Sequence, residues 1–122
     1  MRKIHLCVYD LFMQIEAWYK TDVGLKRESN QDAVFVDEKL GLYIVADGMG
    51  GHRGGEVASA MAIDAAKRAI AESFSHNGKI QPHQVISRAY KQAAQEIFER
   101  GVKEAHLRGM ATTMVLVLKY ES

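Results

Sequence analysis

Three acids stand where an otherwise apolar pattern breaks. Asp47 closes the run 42–46, Asp32 opens the run 33–36, and Glu56 follows a stretch with five glycines between positions 48 and 55. If the two runs form an antiparallel hairpin, the start of one lies beside the end of the other, and Asp32 comes within metal-bridging reach of Asp47. Two carboxylates held together repel, and a shared proton or a cation relieves the repulsion. An all-oxygen donor set selects a hard ion such as Mg²⁺ or Mn²⁺ over zinc. Gly48 adds a main-chain carbonyl with no Cβ in front of it. Hard ions paired at roughly 3.5–4 Å activate water against phosphate esters. Arg27, on the turn feeding the Asp32 strand, offers a guanidinium fork for phosphate oxygens.

Each of these residues also has a plainer reading. An Asp–Gly pair at a strand end makes an ordinary turn, and Glu56 suits the first turn of a helix through the helix dipole. Arg27 beside Glu28 forms a solvated pair. His52, set among glycines, reads as a loop residue, and Thr112 and Thr113 as β-branched strand residues. A nucleotide-binding phosphate loop fits the order strand, glycines, helix, but not the spacing. G-x-G-x-x-G counted from Gly48 needs glycine where Arg53 stands, and Gly55 is followed by Glu56-Val57 instead of Lys-Ser/Thr.

The elements that would position these groups follow from hydrophobic period. Residues 14–20 alternate as a strand, with Ile15, Ala17 and Tyr19 on one face, and 21–30 is polar and turn-like. Residues 33–36, a turn at 37–41 and residues 42–46 form the hairpin, its second strand apolar on both faces. The period becomes helical from Glu56 to about Ser73, with Val57, Ala58, Met61, Ala62, Ala65, Ala69 and Ile70 on one face. Asn77-Gly78 ends that helix, and Pro82 starts a second one, to about Glu104, with Ile86, Tyr90, Ala93, Ile97 and Phe98 as its apolar stripe. A loop at 105–109 leads to a strand at 112–120. This order gives an α+β fold with its helices grouped together.

The totals bound the rest. A length of 122 residues holds one domain, and 48% apolar with 25% charged residues is a globular balance. A net charge of +1 with no basic run gives no reason to expect a nucleic-acid partner. One cysteine, Cys7, leaves no disulfide framework and no CxxC metal site, and fits a reducing cytoplasm. No apolar run reaches membrane-spanning length, so no membrane partner is expected. The N-terminus is a poor signal peptide. We expect the domain to occupy residues 13–122 and residues 1–12 to be an N-terminal extension.

The stretches KTDVGLKRESNQD, LYIVADGMGGHRGGEVAS and GMATTMVLVL, in that order, strongly resemble the N-terminal half of bacterial metal-dependent protein Ser/Thr phosphatases, the PPM or type 2C family. The likeness runs from about Met13 to Leu118. It implies a four-layer α-β-β-α sandwich, here partial, and a dinuclear Mn²⁺ or Mg²⁺ centre. The implied activity is hydrolysis of phosphoserine or phosphothreonine by a metal-activated water. Carried over, Asp47 bridges the metals, Gly48 gives its carbonyl to one, Asp32 holds metal-bound waters and Arg27 binds the substrate phosphate. The implied partner is a phosphorylated protein, with a Ser/Thr kinase opposing the reaction in bacterial signalling. The family's C-terminal half brings further aspartate ligands, and this sequence has no aspartate after Asp64. The reading therefore expects a segment with an incomplete site, weak or inactive alone. Its alternative is a non-catalytic pseudo-phosphatase or interaction module. Either way the last strand is an orphan, through which the chain would self-associate.

Overall fold

The computed structural model describes residues 5–11, 14–21, 30–75 and 78–120. Among the described residues, five strands, two long helices and a short 3₁₀ turn make an α+β fold, in which every strand after the first follows the expected order. Strand β1 (His5–Leu11) pairs antiparallel with β2 (Gln14–Lys20), His5 opposite Lys20 and Leu11 opposite Gln14. Strand β1 lies in the expected extension, where the hydrophobic pattern implies no element. Strands β3 (Asp32–Asp37), β4 (Leu42–Met49) and β5 (Ala111–Leu118) form a separate antiparallel sheet in the order β3-β4-β5.

The hairpin β3–β4 and the central place of β4 follow the pattern of its residues. Leu42, Tyr43, Ile44 and Ala46 are fully buried, as expected of a strand covered on both faces. Because side chains alternate along a strand, Leu42, Ile44 and Ala46 point to the helices, where they meet Ala66, Ile70, Val85 and Ala89. Tyr43, Val45 and Asp47 take the opposite face. Register extends that face into three rows across the sheet: Val36–Tyr43–Val117, Val34–Val45–Val115 and Asp32–Asp47–Thr113. The first two rows are apolar and the third is polar, so the acids sit at one end of a hydrophobic surface. Strand β4 runs further toward that end than its apolar run, because Gly48 and Met49 still pair with Thr112 and Ala111 of β5.

Helix α1 (Gly54–Ser75) lies across the sheet, and α2 (Pro82–Lys103) packs beside it. Alanines on α1 serve two neighbours. Ala66 and Ala69, with Ile63 and Ile70, face the sheet, and Ala62 and Ala65 meet Ala93 of α2. The small side chains permit the close approach. The expected stripe on α2 holds at Ala93 and Ile97, which pack against α1, and is rotated elsewhere. Its buried residues are Val85, Ala89, Ala93 and Gly101, while Phe98 is 72% exposed. The packing selects the small residues that fit against α1's alanines over the larger ones that a hydrophobicity count favours. Arg68 of α1 ties the two helices at the surface through Glu96 of α2, 2.9 and 2.5 Å, while also bonding Asp64.

No strand lies beyond β5 among the described residues. There Tyr90 of α2 donates its hydroxyl hydrogen to the Met114 carbonyl at 2.8 Å. A Tyr90→Phe variant loses about 0.5–1.5 kcal/mol, the net worth of one hydrogen bond. Its thermal midpoint should fall by ~2–6 °C in a circular-dichroism melt.

Candidate functional site

The turn Asp37–Gly41 fixes the register of β3 against β4, and the far end of that ladder is Asp32 opposite Asp47. The pairing is direct, so the two carboxylates leave the same face of neighbouring strands. Both carboxylate oxygens of Asp32 are shielded from solvent. Its main-chain N–H donates to the side-chain oxygen of Asn30 at 3.1 Å, an Asx turn that starts β3. Asn30 is itself anchored, its amide donating to the Thr21 hydroxyl at 2.9 Å. On the other side of Asp47, the Thr113 hydroxyl accepts from the Asp47 N–H at 3.3 Å and faces the Asp47 carbonyl at 3.4 Å. Asp47 is thus flanked by one acid and one hydroxyl from two different strands.

The glycines after Asp47 have separate reasons. Gly48 lies so close to the start of α1 that a Cβ there would stand 1.9 Å from the Gly55 carbonyl oxygen and 2.8 Å from that of Gln31. Access to the Gly48 carbonyl is one reason for glycine here, and packing against α1 is a second and sufficient one. Gly55 is equally confined, its missing Cβ falling 2.6 Å from the Gln31 side-chain oxygen and 2.7 Å from the Met49 nitrogen. Between them the chain reverses through Gly50 at φ 152°, His52 at 49° and Arg53 at 64°. Two non-glycine residues in the left-handed region are a local cost of ~1–2 kcal/mol each, held by the Gly54 N–H bond to the Gly51 carbonyl at 2.8 Å. His52 is a loop residue, as its setting implied.

The structure brings Asp32, Asp47 and Gly48 together and leaves Glu56 out. Glu56 sits in the first turn of α1, its carboxylate 3.9 Å from Arg53. Among the described residues no group of three or more His, Cys, Asp or Glu side chains converges. Two acids meet, Asp32 and Asp47, while Glu56 follows the reversal and serves the helix start, as its plainer reading has it. Arg27 lies outside the described residues. Sequence reasoning missed Asn30, Gln31 and Thr113. Asn-Gln-Asp at a strand start carried the signal for the first two, since Asn before a strand favours an Asx turn.

As a donor set, two facing carboxylates beside a main-chain carbonyl suit a hard divalent cation. The burial of the Asp32 oxygens fits such an ion, because a carboxylate withdrawn from water is stabilised by a cation.

The family model described as protein phosphatase 2C matches residues 25–122. The chain is 34% identical over 115 residues to a serine/threonine phosphatase stp of Listeria innocua, covering 88% of this chain and 44% of that protein. Its fold is similar to the crystal structure of the Mycobacterium tuberculosis serine/threonine phosphatase PstP/Ppp, with TM-score 0.67 and 27% identity, over 97% of this chain and 42% of that one. A structure of the catalytic domain of PstP in complex with two manganese ions matches with TM-score 0.68 and 27% identity, over 98% of this chain and 44% of that one. The chain thus spans less than half the length of these relatives.

Proposed function

The chain belongs to the protein phosphatase 2C family, and from that premise we propose that it supplies part of the active site of a metal-dependent phosphoprotein phosphatase. One observation carries the proposal: Asp32 and Asp47 are direct cross-strand partners beside the glycine reversal. Asp47 and the Gly48 carbonyl would hold Mn²⁺ or Mg²⁺, and Asp32 would hold the ions' waters. When bound, such ions lower the pKa of water and offset phosphate charge. The chain's own residues do the positioning. Asn30 fixes Asp32 from one side, Thr113 steadies the Asp47 backbone from the other, and the apolar rows behind them keep the acids at the sheet's end. Arg27 is proposed to pair with the phosphate of the substrate through its guanidinium fork.

The substrate class is phosphoserine or phosphothreonine in proteins, with a Ser/Thr kinase supplying the phosphoryl group in a signalling cycle. That class rests on the family and on the name of the Listeria relative. The single cysteine favours a reducing compartment, and we place the protein in the cytoplasm on that ground. We further propose that the chain associates at β5, the outer strand of its sheet among the described residues, where Val115 and Val117 of the adjoining face are 62% and 40% exposed.

The test is hydrolysis of p-nitrophenyl phosphate. Joined to the family's C-terminal half, the chain should release nitrophenol only with added Mn²⁺, and that turnover should disappear in Asp47→Asn. Turnover that is indifferent to Mn²⁺ or to that substitution contradicts the proposal.

A further inference from the structure

Gln31 makes contacts out of proportion to a residue that merely precedes an acid. Its side-chain amide donates to the Gly50 carbonyl at 3.1 Å. Its main-chain carbonyl accepts from the Gly48 N–H at 3.1 Å. Its side-chain oxygen fills the space in which a Cβ on Gly55 would stand, 2.6 Å away. One residue at the start of β3 therefore touches the end of β4, the reversing loop and the first turn of α1. The loop it holds needs holding, since it carries His52 and Arg53 in left-handed backbone.

We propose that Gln31 is a positioning residue, which clamps the glycine loop so that Gly48 and the Asp32–Asp47 pair keep the spacing a divalent cation requires. The inference rests on the metal-site reading above. Without the amide donor the Gly50 carbonyl turns to water, and the reversing loop loses its side-chain bond to Gln31. The loop then samples other arrangements in which Gly48 moves relative to the acids. Because the loop is at the surface, the β4 and helix core is not involved, and global stability changes little.

Two variants of the 122-residue chain test this. Gln31→Met keeps length without a donor, and Gln31→Glu keeps shape while setting an acceptor against the Gly50 carbonyl. Amide hydrogen exchange is read by NMR in metal-free protein, with Ile44 and Ala89 as core references. Mn²⁺ affinity is read for wild type, Gln31→Met and Asp47→Asn. We expect the Gly48 and Gly54 amides to exchange about tenfold faster in both variants, the loss of roughly one net hydrogen bond, with the core amides unchanged. Mn²⁺ should bind about tenfold more weakly to Gln31→Met than to wild type. Unchanged Gly48 and Gly54 exchange overturns the clamp. Faster exchange with unaltered Mn²⁺ affinity overturns the positioning role and leaves Gln31 a structural contact. Equal Mn²⁺ uptake by wild type and Asp47→Asn overturns the metal-site reading, and the positioning role with it.

Discussion

Gly48→Ala destabilises the protein by about 3 kcal/mol or more, at the upper end of the cost of overfilling a packed interior. The added methyl carbon would stand 1.9 Å from the Gly55 carbonyl oxygen, 2.5 Å from its carbon and 2.8 Å from the Gln31 oxygen. All three are main-chain atoms, so no rotamer change relieves the overlap. Either α1 lifts from the end of β4, or β4 separates from β3. The first movement strips α1 from the sheet, and the second breaks the row that holds Asp32 against Asp47. A melt followed by circular dichroism should show a midpoint about 10 °C or more below wild type. Gly51→Ala is the control, since nothing stands within 4 Å of its Cβ position, and a change at such an open surface site should stay within ~0.5 kcal/mol. Equal midpoints for the two variants would show that α1 and β4 do not approach as described.

Asp47→Asn, in contrast, changes little until metal is added. In chelator the substitution removes one of two facing acids at nearly constant shape, and a cross-strand pair of this kind alters stability by less than ~1 kcal/mol. With Mn²⁺ at a hundredfold excess over its dissociation constant, a ligand that binds only the folded chain adds about 2.7 kcal/mol. Wild type should therefore show a Mn²⁺-dependent rise in thermal midpoint of roughly 8 °C or more, and Asp47→Asn should show none. A rise of the same size in the variant would place the ion elsewhere on the molecule.

Much of the architecture was legible because the relevant signals are local. The apolar run ending at Asp47 implied a central strand, and the hairpin argument alone placed Asp32 against Asp47, as the register has it. The alanine-rich stretch after the glycines implied a helix in close contact with a sheet, and α1 packs that way. What escaped was set by tertiary packing. The stripe on α2 departs from the expected one because Val85 and Ala89 are buried where Tyr90 and Phe98 are not. The pairing partner of β2 escaped because 5–11 does not alternate cleanly. Gly48 was read for the access its carbonyl gives, and its contact with Gly55 needed the fold to be seen. Gln31 and Thr113 matter through atoms brought from the reversing loop and from another strand, at separations of 19 and 66 residues along the chain, which no spacing rule reports.

The central claim is that the Asp32–Asp47 row holds a divalent cation, and Mn²⁺ titration by electron paramagnetic resonance tests it most directly. Protein-bound Mn²⁺ loses the sharp signal of the free ion, so uptake is read without reference to any reaction. The account predicts saturable depletion of the free-ion signal by the wild-type chain, and uptake that falls away in both Asp32→Asn and Asp47→Asn. Uptake by those two variants equal to that of wild type would contradict it.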